Sequence, residues 1–244
     1  MHRFFVSEDS IQGDKATLEP RVAHQLREVL RARQGTRILL LDNTGWEYEV
    51  ELSWVGREGG EGVVKGRRPA LGEPRTIINL YQSLLKGDKF ELVLQKGTEL
   101  GISAFYPVFS LRSVVTDVRP NKQGRWGRVL SEAAEQSGRG RLPLLAEPVL
   151  FADACEGLEG LSLLPYEEEK AVGLKEVLRR GDRPSPINLF IGPEGRFEAE
   201  EVEFARSRGI IPVCLGPRIL RAETAGLVAA TAILYELGEL GPQE

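Results

Sequence analysis

Two arginines, Arg218 and Arg221, and one carboxylate, Glu223, follow directly on the pair Gly216-Pro217; a second such pair, Gly192-Pro193, precedes Glu194 and Gly195. Glycine admits a ligand close to the main chain because no Cβ stands in the way. Taken singly, each pair is ordinary turn punctuation. With two guanidinium groups and a carboxylate beside the second, the two suggest a site where backbone groups hold a ligand and charged side chains act on it. That ligand is not a phosphate. No G-x-x-x-x-G-K-[ST] sequence occurs, and the segment after the first pair opens with Glu198, Glu200 and Glu201, which repel an anion at a helix N-terminus. A neutral or cationic ligand fits better.

These loops need elements to carry them. The short apolar run Ile187–Ile191 predicts a buried strand ending at the first loop, and Ile211–Leu215 a second strand ending at the other. Between them, Val202, Phe204 and Ala205 among charges predict a helix over 198–208, closed by Gly209. A small-residue helix from about Ala225 to Leu237 follows the second loop. Ligands of parallel α/β sheets sit outside the carboxyl ends of the strands, where both loops fall. Other chemistries are poorly supplied: there is no G-x-S-x-G, H-E-x-x-H or strand-borne G-x-G-x-x-G, and two histidines and two separated cysteines make neither a triad nor a zinc centre. No metal is expected. Cys155, Cys214 and His24 read as packing residues.

Gly192-Pro193-Glu194-Gly195 followed by Leu215-Gly216-Pro217-Arg218-Ile219-Leu220-Arg221-Ala222-Glu223-Thr224-Ala225 resembles the RsmE family of 16S ribosomal RNA uracil-N3 methyltransferases, of the SPOUT class. Lys86-Gly87-Asp88-Lys89, the stretches Gln95–Gly101 and Glu132–Arg139, and His2-Arg3-Phe4-Phe5 extend the similarity over nearly the whole chain. Arg196 departs from it, standing where a second glycine is expected.

The resemblance implies a SPOUT-type α/β trefoil-knot methyltransferase domain over 71–244, preceded by a small PUA-like β-barrel domain over 1–70 that binds RNA. It implies S-adenosyl-L-methionine (SAM) as cofactor, held by Leu164, Pro165, Ile191, Gly192, Pro193, Glu194, Gly195, Leu215, Gly216, Ile219, Leu220, Thr224 and Ala225. The substrate implied is a uridine of 16S ribosomal RNA in the small ribosomal subunit. Uracil N3 is a poor nucleophile until its proton leaves, so a base, or a cation stabilising the uracil anion, must stand beside the methyl group. Arg221 and Glu223 are the candidates, and the sequence does not decide between them. A non-catalytic RNA-binding or ribosome-assembly protein and a ribose 2′-O-methyltransferase are the alternatives.

Length and composition agree with two modest domains: 244 residues, 41% hydrophobic and 28% charged. No apolar run spans a membrane and no signal peptide is evident, so a cytoplasmic protein is expected. The net charge of −4 hides an uneven distribution. Residues 1–68 hold 11 basic and 11 acidic side chains, 69–141 hold 11 and 7, and 142–244 hold 10 and 18. Short alternating strands with a helix near Val22–Leu30 predict a small barrel in the first segment. Its Arg3, Arg21, Arg27, Arg31, Arg33 and Arg37 are candidate phosphate contacts. Arg67–Pro74 reads as the domain joint. The helix Ala225–Leu234, apolar nearly all round, together with the resemblance, predicts a homodimer.

Overall fold

Strand β12 (Ile187–Ile191) is buried at all five positions and is the centre of a seven-stranded, all-parallel sheet. The structure, a computed structural model, describes residues 1–180 and 184–241. By internal packing the chain divides into one unit of Met1–Glu73 with Ser131–Leu142, and a second of Pro74–Leu130 with Pro143–Glu244. The sequence reading does not assign 131–142 to the first unit.

The second unit contains β7 (Ile78–Ser83), α2 (Lys89–Leu100), β8 (Ala104–Phe109), β9 (Leu144–Leu145), β10 (Val149–Leu150), α4 (Phe151–Ala154), β11 (Leu161–Pro165), α5 (Leu174–Leu178), α6 (Ala199–Ser207), β13 (Ile211–Val213) and α7 (Ala222–Glu236), with most of α3 (Pro120–Ser137). The strand order is β10-β8-β7-β12-β11-β13, with β9 also paired to β8. Parallel sheets need both faces covered, and the alternation along β12 supplies both. Ile187, Leu189 and Ile191 join a core with Phe90, Val93 and Leu94 of α2 and Ala229, Ile233 and Leu234 of α7. Phe190 joins the opposite core with Phe151 of α4 and Val202 and Ala205 of α6. There Tyr81 lies stacked between Tyr106 and Phe190, ring centroids 4.4 Å away on each side.

The first unit carries β1 (Arg3–Phe5), β2 (Ile11–Gln12), β3 (Lys15–Leu18), α1 (Pro20–His24), β4 (Arg37–Leu41), β5 (Trp46–Val55) and β6 (Gly60–Pro69). Its six strands run in the order β1-β4-β5-β6-β3-β2, with β1 and β2 as edges; no pair closes a barrel among the described residues. Phe4, Leu18, Val22, Leu26, Ile38, Leu40, Val50 and Leu52 form its core. The expected helix near Val22–Leu30 is split: α1 is followed by a π-helical stretch, Gln25–Val29. His24 is exposed rather than packed, because that helix turns it away from the sheet. β6 runs through Arg67 and Arg68 to Pro69, where the sequence suggested a joint, because the ten-residue β5 gives it a partner along its length.

Candidate functional site

The carboxyl ends of β7, β12, β11 and β13 bring the predicted loops to one edge of the parallel sheet. Leu164 and Ile191 are buried at the strand ends with their side chains in the two cores, so they offer only backbone. Pro165 and Gly192 are half-buried and Pro193 is buried, while Glu194 and Gly195 are exposed. The Arg196 N–H donates to the Pro193 carbonyl (3.0 Å), closing a tight turn. Arg196 itself has φ +69°, the left-handed conformation that glycine adopts freely. Its guanidinium lies 3.1 Å from Glu167, which ties this loop to the one after β11.

In the second loop Gly216 has φ +108°, and an added Cβ would meet nothing within 4 Å, so backbone is bared to open space there. Its N–H donates to the half-buried Cys214 Sγ at 3.3 Å, giving this thiol a polar role beyond packing. Leu215 and Leu220 are half-buried, and Ile219 is 71% exposed, an apolar side chain available to cover a ligand. α7 begins three residues before the sequence-predicted start, with Arg221 as its N-cap. The Arg221 carbonyl already accepts from the N–H groups of Thr224 (2.8 Å) and Ala225 (2.9 Å). The unspent donors of that first turn are therefore those of Ala222 and Glu223.

Lys89, at the start of α2, links the two loops. Its ammonium donates to Glu194 Oε1 (3.1 Å) and stands 3.7 Å from Glu223 Oε2, a buried oxygen with no hydrogen bond among the described residues. Burial alone would raise the Glu194 carboxyl. Backbone bonds, the Lys86 N–H among them at 3.2 Å, and the Lys89 charge outweigh it and hold the carboxyl below its ordinary range. The Arg221 guanidinium, by contrast, is exposed and has no carboxylate partner among the described residues. Arg112 is a further element that sequence reasoning missed: it forks over both oxygens of Glu198 and donates to the Gly195 carbonyl at 3.2 Å. Glu198 and Glu201 form a reciprocal capping box on α6, so the acids that argued against phosphate also fasten the helix start.

SAM carries a sulfonium and an ammonium against one carboxylate, a net positive charge. The edge fits such a group: bare backbone at Gly216, apolar Leu215, Ile219 and Leu220, acidic Glu194 and Glu223, and buried oxygens on Gln82 and Ser83 at the end of β7 that have no hydrogen-bond partner among the described residues. A cavity of about 430 Å³ between α5 and α7, lined by Leu174, Cys214, Leu215, Val228 and Tyr235 among others, shares only Leu215 with the expected cofactor residues. Among the described residues no cluster of His, Cys, Asp or Glu could hold a metal, and no helix is long and apolar enough to cross a membrane.

Of the candidate phosphate contacts in the first unit, four are engaged by carboxylates. Arg3 lies 3.6 Å from Glu47, Arg21 3.6 Å from Glu135, Arg27 2.6 Å from Glu28 and Arg37 2.8 Å from Glu49. Arg31 and Arg33 are exposed, and Arg31 takes φ +52°.

A family model described as an RNA methyltransferase domain matches residues 73–234. The ribosomal RNA small subunit methyltransferase E of Synechocystis sp. is 34% identical over 235 residues, which span 95% of this chain and 77% of that protein. The protein of the same name from Bacillus subtilis is 31% identical over 97% of both chains. A crystal structure of ribosomal RNA small subunit methyltransferase E from Neisseria gonorrhoeae bound to S-adenosyl methionine is similar with a TM-score of 0.88 and 31% identity, over 96% of this chain and 97% of that one.

Proposed function

The chain belongs to the ribosomal RNA small subunit methyltransferase E family, and from that premise we propose that it transfers a methyl group from SAM to N3 of a uridine in 16S ribosomal RNA. The observation that carries this reading is the meeting of two glycine-proline loops, a free guanidinium and an acid–lysine–acid cluster at the carboxyl edge of a parallel sheet. Bound SAM supplies an electrophilic methyl group. The remaining roles fall to the chain's own residues. Gly192 to Gly195 and Leu215 to Leu220 hold the cofactor by backbone, with Leu215, Ile219 and Leu220 excluding water. The Arg221 guanidinium stabilises the uracil anion, and Glu223, kept in place by Lys89, accepts the N3 proton.

A trefoil knot is supported by hydrogen bonds around the end of β13. The Tyr166 N–H donates to the Val213 carbonyl (3.0 Å) and the Cys214 N–H to the Val172 carbonyl (2.8 Å), so the segment from 166 to 172 bonds this chain on its way out and on its way back. The first unit is read as the PUA-like RNA-binding domain, with exposed Arg31 and Arg33 toward phosphates and Arg3, Arg21, Arg27 and Arg37 reaching them by exchanging their carboxylate partners. A homodimer is supported by exposed Val228 and Tyr235 on α7 beside the apolar cavity. A cytoplasmic location follows from a ribosomal substrate. The test is incubation with SAM and small-subunit RNA, nuclease digestion and mass spectrometry. N3-methyluridine is expected, and loss of it in Arg221→Ala with RNA affinity retained. A 2′-O-methylated product, or no SAM-dependent product, overturns the reading.

A further inference from the structure

Trp46 opens β5 with 38% of its surface exposed, and the guanidinium of Arg67 lies over its ring, 5.1 Å from the centroid. The β5–β6 register makes this a built arrangement. Tyr48 faces Arg67 and Trp46 faces Pro69, so Trp46, Tyr48 and Arg67 share one side of the ribbon while Glu47 and Arg68 share the other. The nearby acids are spent elsewhere. Asp42 accepts from Thr44 and from the Tyr48 hydroxyl (2.9 Å); buried Glu47 is taken by Arg68 and Arg3; Glu73 accepts from Arg139 and from the backbone of Gly140 and Arg141. Arg141 swings its guanidinium beside the turn, donating to the Thr44 carbonyl at 2.8 Å, where a Cβ on Gly45 would come within 3.1 Å of its Nε. Among the described residues, neither Arg67 nor Arg141 has a carboxylate partner.

We propose that this face of the first unit is a stacking site for an unpaired RNA base, which stacks on the Arg67–Trp46 pair, with Arg141 taking the adjoining phosphate. It rests on the reading of the chain as an enzyme of ribosomal RNA. Exposed aromatic rings and guanidinium planes stack bases whatever their sequence, and the second guanidinium beside them, its charge not met by a carboxylate among the described residues, meets the backbone charge. A duplex hides its base faces and would not enter. A lone exposed tryptophan is common on protein surfaces; one sheathed by an arginine that has no carboxylate partner among the described residues, with a second such arginine beside the same turn, is a patch of uncompensated positive charge that an anionic, aromatic ligand completes.

The full chain is titrated with single-stranded oligouridylate and, separately, with an RNA duplex of equal length, following tryptophan fluorescence. Trp126 is buried, so Trp46 and Trp54 are the reporters. Quenching by the single strand is expected in the parent and in Trp54→Phe, and its loss in Trp46→Phe, whose ring preserves the fold. Trp46→Ala and Arg67→Ala should each weaken single-strand binding about tenfold, with duplex affinity changed much less. Quenching retained in Trp46→Phe, equal quenching by the duplex, or a patch that answers to neither RNA overturns the proposal. SAM affinity, measured by calorimetry on the same samples, stays at the parent value; its absence from the parent as well would count against the methyltransferase reading while the quenching still decides the stacking site.

Discussion

Replacing Lys89 by methionine keeps the stem and removes the charge between Glu194 and Glu223. The bond to Glu194 is charge-assisted, a class that contributes about 1.5–3 kcal/mol when shielded. Here the two side chains are 36% and 25% exposed, and screening cuts that to about 1 kcal/mol. Glu223 is only 12% exposed at 3.7 Å from the ammonium, so removing the cation leaves a carboxylate largely out of water without its counter-charge, at a cost of about another 1 kcal/mol. Lys89→Met should therefore lower stability by about 2 kcal/mol at pH 7, read as a shift in the urea midpoint. The pH dependence tests the cause. Glu194 is held below its ordinary range in the folded chain, so its contribution is present above the unfolded carboxylate pKa and is lost as pH falls through the folded value. The difference between parent and variant should then narrow as pH drops from 7 to below about 4. A difference that does not change with pH would refute the assignment of Glu194 to Lys89, and one below about 0.5 kcal/mol at pH 7 would refute the bridging role.

Gly216→Val forces a branched residue into φ +108° and fills the open space beside the second loop, so calorimetry should find SAM binding lost while circular dichroism reports an intact fold. Arg196→Gly relieves the φ of +69° and gives up a half-exposed ion pair with Glu167, and a gain of about 0.5 kcal/mol in thermal unfolding is expected. Burial raises the Glu135 carboxyl, against the Phe5 N–H, Arg21 and Ser131. A folded pKa above the unfolded one favours folding at low pH and loses that contribution as pH rises through it, so Glu135→Gln should gain on the parent between pH 4 and 7 in urea titrations. Replacing Arg27, Arg31 and Arg33 together should weaken RNA binding and flatten its salt dependence by at most three units of slope, less if the Arg27–Glu28 pair already occupies that guanidinium.

What the sequence disclosed was local. Ile187–Ile191 is found at the residues its apolar run predicts, because a strand buried on both faces writes its burial into consecutive positions. Ile11–Gln12 and Lys15–Leu18 left no such mark, being short and half polar, and became strands because β6 offered them hydrogen bonds from far along the chain. The loops of the candidate site were legible through glycine and proline, whereas the side chains that fasten them were not. Arg112 reaches Glu198 across 86 positions and Lys89 reaches Glu194 across 105, distances over which no periodicity carries information. Arg196 joins the two kinds of signal. Its mismatch with the family pattern is readable in the sequence, but only the structure puts it in the left-handed conformation that makes glycine the unstrained choice, with an ion pair to Glu167 offsetting part of the cost. The same division governs the first unit: Trp46 and Arg67 are unremarkable 21 positions apart, and it is the antiparallel register of β5 on β6 that lays one over the other.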